Sequence, residues 1–175
     1  KEQYPDIQIC HNHYWKTKLI LERSTWNQDK AEHIIQKLML SNDAFSQWMG
    51  IEVVEISPIS VILSMVITEE MTNGFGIAHG GIIYSVCDSA LAFASNAYGR
   101  QAVSIETSIS HLKPLKIGNR VTVTSYTKRI SGTLGHFEVL AHDQTNALVG
   151  IFKGTVFYNG KEWNSYVKND SQYNS

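Results

Sequence analysis

The order of elements written into this sequence predicts an α+β fold, a curved antiparallel sheet wrapped around one long central helix. Three observations carry that reading. Two strand-like runs precede a long, largely apolar helix, four more follow it, and the later connections are short, which restricts those runs to antiparallel pairing. A chain of 175 residues, 43% of them apolar, is the right size for one domain around one core.

The elements justify themselves in order. Residues 1–26 show no clean period, and we read them as an added leader or an unusual extension outside the domain. Asp29 is the expected first helix cap, with Glu32 three residues on as in a capping box. Ala31, Ile34, Ile35, Leu38 and Met39 then follow helical spacing. Ser41-Asn42-Asp43 breaks that helix and opens a short second one. Its expected apolar face is Ala44, Phe45, Trp48 and Met49, with Gly50 as its stop. Ile51 to Ile56 reads as a strand ended by Ser57-Pro58, and Ile59, Val61, Leu63, Met65 and Ile67 alternate as a second.

The long helix is expected from Gly80 to Ala97, with Gly99 as its stop. Strand-like runs follow at Ala102–Leu112 (Val103, Ile105 and Ile109 on one face), Arg120–Ile130, His136–His142 and Ala147–Tyr158. From Lys161 the chain turns polar, and residues 161–175 are expected to be a frayed tail beyond a domain spanning 27–160. The helix residues Ile82, Ile83, Val86, Ala90, Leu91, Ala92, Phe93 and Ala94 suggest an element buried on every side. One sheet covers one side, so the sequence predicts a second copy of the chain on the other.

Composition excludes several function classes. The formal net charge of −1 supplies no bulk basic field for nucleic acid or anionic membrane, and no stretch is apolar enough to span a bilayer. Cys10 and Cys87 make no disulfide framework. The chain reads as a cytoplasmic, soluble protein. Cys10-His11-Asn12-His13 offers ligand types without a distant partner pair, so neither a metal site nor a cofactor is expected.

The chemistry concentrates at Asn73-Gly74-Phe75-Gly76-Ile77-Ala78-His79-Gly80-Gly81 and at Asp88-Ser89. Gly80 and Gly81 open the helix, where backbone N–H groups lack intrahelical partners and the helix dipole favours negative charge. Such a helix start is a ready oxyanion hole for a carbonyl under attack. Asp88 is a carboxylate inside a greasy helix, where an unpaired charge is costly. It lies about 12 Å along the axis from Gly80 at the helical rise per residue, too far to serve its own helix start. An antiparallel helix from a second protomer would bring the partner's Asp88 to Gly80.

Asn73, His79-Gly80-Gly81 and Asp88-Ser89 match in identity and spacing the pattern of hotdog-fold acyl-CoA thioesterases of the phenylacetic-acid-degradation (PaaI-like) family. The similarity covers about residues 44–160 and includes His111-Leu112-Lys113-Pro114, which resembles that family's strand-end motif. The resemblance implies hydrolysis of acyl-CoA to free acid and CoA at a dimer interface, within a dimer of dimers. It makes Asp88 the nucleophile or general base and gives the Gly80 N–H the thioester carbonyl. His79 then orients substrate or helix start, Asn73 holds water or leaving group, and Ser89 assists Asp88. Gly81, Tyr84 and Lys113 are candidate substrate contacts. Phe45, Trp48, Tyr84 and Phe93 suggest an apolar or aromatic acyl tail.

Plainer readings stand beside these. Asp88 can bond a backbone group or buried water across an interface, His79 can simply start the helix, Gly80-Gly81 can serve close packing, and Asn73-Gly74 is a turn by composition. Cys87 reads as a small core residue and His111 as a packed or solvated strand residue. Two other functions compete. One is a hotdog hydratase or dehydratase, which needs a proton shuttle at the β-carbon. The other is a non-catalytic acyl-CoA-binding protein, for which only residues 1–40 offer a partner module.

Overall fold

A computed structural model describes residues 26–163. The first helix, α1 (Gln28–Glu32), is capped by Asn27, whose side chain accepts from the Lys30 N–H at 2.8 Å. The expected cap, Asp29, instead sits in the first turn, where its charge complements the dipole. The helix starts two residues earlier than expected, so Asn27 takes the capping position. The chain continues as a wide π-helical stretch, His33–Met39, and a 3-10 turn, Leu40–Asn42. It buries Ala31, Ile34 and Ile35 and leaves Leu38 and Met39 half-buried.

Asp43 caps α2 (Ala44–Trp48), and Gly50 ends it with φ +66°. The expected apolar face of α2 is not a core face. Phe45 and Trp48 are about half exposed and stack on one another at 5.7 Å, and the buried positions are Ser46 and Met49.

Six strands form one antiparallel sheet in the order β1-β2-β4-β5-β6-β3: β1 (Glu52–Ile56), β2 (Ser60–Val66), β3 (Arg100–His111), β4 (Arg120–Ser131), β5 (Leu134–Asp143) and β6 (Leu148–Glu162). The long helix α3 (Gly80–Asn96) packs against β2 through β6. Val86, Leu91 and Phe93 are fully buried there, each worth about 1.5–3 kcal/mol by burial. Gly154 on β6 permits the close approach, since a Cβ there would stand 2.4 Å from Leu91 Cδ2.

Two expectations change here. α3 is not apolar all round. Gly81, Ser85, Asp88, Ser89 and Ala92 form a small, polar, half-buried to exposed stripe at helical spacing. The curved sheet and the π-helical stretch bury the rest within a single chain. The need to cover a greasy helix therefore does not by itself call for a second copy. On β3, a bulge between Ser104 and Glu106 interrupts the alternation, and Val103 and Ile105 are more than half exposed. β3 bonds only β6, so its other edge is open.

Described residues on either side of 27–160 also make contacts with it. Trp26 packs edge-on against Tyr98 at 4.9 Å. Lys161 and Glu162 continue β6, and Trp163 Nε1 donates to Asn96 Oδ1 at 2.8 Å, so the chain is still anchored where fraying was expected. Cys10-His11-Asn12-His13 and residues 164–175 lie outside the described residues. No described helix is long and apolar enough to cross a membrane.

Candidate active site

Two cavities lie along α3 and share no lining residue. The first, about 300 Å³, is bordered by Asn73, Gly80, His111 and Lys113 at the helix start. The second, about 400 Å³, is bordered by Asp88, Ser89, Ser85, Asp43, Phe93 and Trp163 among others along the polar stripe.

The helix start is fixed by three backbone bonds. Ala78 N–H donates to Leu115 O at 2.8 Å, His79 N–H to Met71 O at 2.8 Å, and Ile82 N–H to His79 O at 2.9 Å. His79 is the N-cap, its Nδ1 accepting from Gly81 N–H at 3.0 Å. An accepting Nδ1 carries no proton, so the neutral ring keeps its proton on Nε2. His79 and Gly81 thus bond one another, and neither borders either of these two cavities. The Gly80 N–H has no acceptor among the described residues. Over Gly80 stands the His111 ring, so close that a Cβ would be 3.1 Å from His111 Nε2. The absence of a Cβ at Gly80 lets the imidazole stand close over the helix start.

Asn73 makes a turn and also borders the cavity. Its Oδ1 accepts from Phe75 N–H at 2.9 Å, and its carbonyl accepts from Gly76 N–H at 2.9 Å. With Oδ1 occupied by the loop, the Nδ2 donor is what Asn73 can offer a ligand. Lys113 is less available than its sequence position suggests. Its Nζ pairs with Asp143 Oδ2 at 2.7 Å, and Asp143 Oδ1 accepts from Thr145 and Ala147 N–H groups. The Lys113 ammonium, followed by Thr145, holds the Asp143 carboxyl well below the usual carboxylate range. Tyr84 turns away from both cavities, its hydroxyl on Thr107 and its ring edge-on to Phe152 at 5.4 Å.

Asp88 is half-buried on α3, and no cation pairs with it among the described residues. Burial pushes its carboxyl up, and the Ser104 hydroxyl pulls less strongly the other way. Its neighbour Cys87 is fully buried, and burial, with the Asp88 charge, pushes that thiol up to about 12. At that value Cys87 is a core residue, not a nucleophile. Ser89 is held by Ser46, their hydroxyl oxygens 3.0 Å apart.

Of the residues singled out in the sequence, the fold gathers Asn73, Gly80, Lys113 and His111 at one cavity and Asp88, Ser89, Phe45 and Phe93 at the other. Trp48, expected near the acyl tail, borders neither. Sequence reasoning overlooked Asp43, Ser46, Asp143 and Trp163. The first two read as a cap and a helix residue, and the contacts of the others span dozens of residues.

The family model of the thioesterase superfamily matches residues 75–149, from the loop before α3 to the start of β6. Human acyl-coenzyme A thioesterase 13 is 31% identical over 65% of this chain and 81% of its own length. Escherichia coli acyl-coenzyme A thioesterase PaaI is 29% identical over 66% of this chain and 83% of its own. The solved structure of the E. coli PaaI protein superposes with a TM-score of 0.74 at 27% identity, covering 77% of this chain and 97% of that one. A Streptococcus mutans protein bound to acetyl CoA superposes with a TM-score of 0.62 at 27% identity, over 64% of this chain and 90% of that one. The element order, the Gly80 helix start and these likenesses agree: the chain belongs to the thioesterase superfamily, as a PaaI-like hotdog-fold thioesterase.

Proposed function

We propose that the protein hydrolyses acyl-CoA thioesters to free acid and CoA at a site assembled from two protomers. The observation that carries the reading is Asp88, a half-buried carboxylate with no cation against it among the described residues, held beside Ser89 on a cavity. Its raised pKa makes it a stronger base than an ordinary carboxylate. One protomer contributes the Gly80 N–H, Asn73 and His111, and the other contributes its Asp88. The separation of the two cavities supports this division, because within one chain Asp88 and the Gly80 N–H stand about 12 Å apart along α3. The open β3 edge, with Val103 and Ile105 exposed, supports a homodimer joined along it. We read two such dimers as pairing into a dimer of dimers, a reading that rests on the family likeness alone.

Asp88 takes a proton from water as the water oxygen bonds the thioester carbon. The carbonyl oxygen becomes an oxyanion and accepts from the Gly80 N–H, with Asn73 Nδ2 in reach of the same cavity. The intermediate collapses, the C–S bond breaks, and the CoA thiolate leaves with the proton from Asp88. The acyl tail lies along Leu38, Met39, Phe45, Phe93 and Trp163, a wall that suits an apolar or aromatic group.

Thiol release from a panel of saturated and aromatic acyl-CoAs tests the reaction. Hydration of an enoyl-CoA without thiol release from the saturated substrates would overturn it, as would binding without turnover. Co-refolding Asp88→Asn with an Asn73→Ala/Gly80→Pro variant tests the shared site. Mixed dimers collect both lesions in one site and leave the other intact. Recovery of at most about half the wild-type activity per heterodimer is expected if the sites act independently. Inactive, folded heterodimers would place the site within one chain.

A further inference from the structure

We infer that Asp43 and Ser46, which lie before residues 75–149 that the family model matches, fix the direction in which the Ser89 hydroxyl points its proton, and so make Ser89 an acceptor for the attacking water. This deepens the reading of Asp88 as general base and rests on it. Three groups form a chain. Ser46 Oγ is 2.5 Å from Asp43 Oδ2 and 3.0 Å from Ser89 Oγ. An ionised carboxylate only accepts, so the Ser46 proton goes to Asp43. Ser46 then has no proton left for Ser89, and the second bond forms only if Ser89 donates. The first two members are held: Ser46 is fully buried, and Asp43 is pinned by Oδ1 accepting from Phe45 and Ser46 N–H groups at 3.1 and 3.0 Å.

The consequence falls in the second cavity, which Asp43, Asp88 and Ser89 all border. With its single proton committed to Ser46, Ser89 presents lone pairs to that space. A water there gives one hydrogen to the Asp88 carboxylate and the other to Ser89 Oγ. Its free lone pair then has one direction left, toward the thioester carbon. Ser89 donates no proton and takes none; proton transfer stays with Asp88. Asp43 and Ser46 are positioning residues acting through Ser89.

Asp43→Asn tests the polarity without removing the helix cap, since Asn caps as well as Asp and keeps Oδ1. Its Nδ2 replaces Oδ2 facing Ser46 and donates, which reverses the chain and turns the Ser89 proton into the cavity. The expected result is a kcat about 10- to 100-fold lower, the scale of a misplaced reacting group, with KM and melting temperature near wild type. Ser46→Ala should lower kcat as well, and Ser46→Thr, which keeps the hydroxyl, should restore it. Wild-type kcat in Asp43→Asn, measured beside an inactive Asp88→Asn, overturns the relay and leaves Asp88 in place. An active Asp88→Asn instead removes the general base. A loss of melting temperature that tracks the loss of kcat across the Asp43 and Ser46 variants, with Ser46→Thr failing to restore kcat, also overturns the relay and makes the contact a cap alone.

Discussion

The two cavities flanking α3 have opposite chemistry. At the helix start, Gly80 and Asn73 offer N–H donors beside the His111 ring, at a point that a glycine keeps open. Beside the middle of the helix, Asp88 and Ser89 offer acceptors, backed by Phe93 and Trp163. Donors alone polarise a carbonyl but activate no water; a raised carboxylate alone activates water but holds no oxyanion. On the function proposed above, the contrast divides a hydrolytic site along a single helix, to be completed where two helices meet.

The largest expected effect breaks the acceptor side. Asp88→Asn should lower kcat by about 10²–10⁴, as for loss of a positioned base. The same variant should be more stable than wild type at neutral pH. Burial raises the folded pKa of Asp88, so its penalty is absent below the unfolded value and grows as pH rises through the folded one. Melting curves should coincide at acid pH and separate, with the variant higher, toward neutrality. A variant less stable than wild type at pH 7 would mean that the Asp88 charge has a partner.

Next comes the donor side. Gly80→Pro removes the N–H at a helix position where proline is tolerated, although its ring crowds His111. It should lower kcat by about 10²–10³, the scale of one oxyanion donor, with circular dichroism confirming the fold. A milder loss than for Asn73→Ala would move the main donor to Asn73.

A smaller effect concerns the apolar end of the second cavity. Trp163→Ala opens the wall anchored on Asn96 and should raise kcat/KM for larger acyl groups relative to smaller ones by about tenfold, the scale of a methylene or two in an apolar pocket. An unchanged preference would remove the acyl tail from that wall.

The smallest effect on activity belongs to Asp143→Asn. The wild-type carboxyl titrates below its unfolded value, so its stabilisation is complete above about pH 4 and fades as the pH falls toward the folded value. The variant should melt lower at neutral pH, with the gap closing in acid, while kcat stays near wild type. A rise in KM for acyl-CoA would show that Lys113, once released, reaches or repels the substrate.

The strands and the central helix were legible because their signals are local. Alternation at Val61, Leu63 and Met65, the Gly80 start and the Gly99 stop need only neighbouring residues to be read. The motif residues were legible for the same reason, as a spacing of Asn73, His79, Gly80 and Asp88. The distant partners were not. Lys113 looks like a free cation until the fold places Asp143 against it, and Phe45 and Trp48 look alike until α2 leaves only Phe45 at the second cavity.

What the sequence by itself determined is the element order, the helix start and the anomalous carboxylate, since period, glycine placement and side-chain charge are properties of a short stretch of chain. Only the tertiary structure decided that α3 keeps a polar stripe, that Asp143 holds Lys113, and that Ser46 stands between Asp43 and Ser89. Each depends on side chains tens of residues apart, brought together by sheet curvature and by which face of an element meets the core. A hydrogen bond has a direction only once both of its ends are in place.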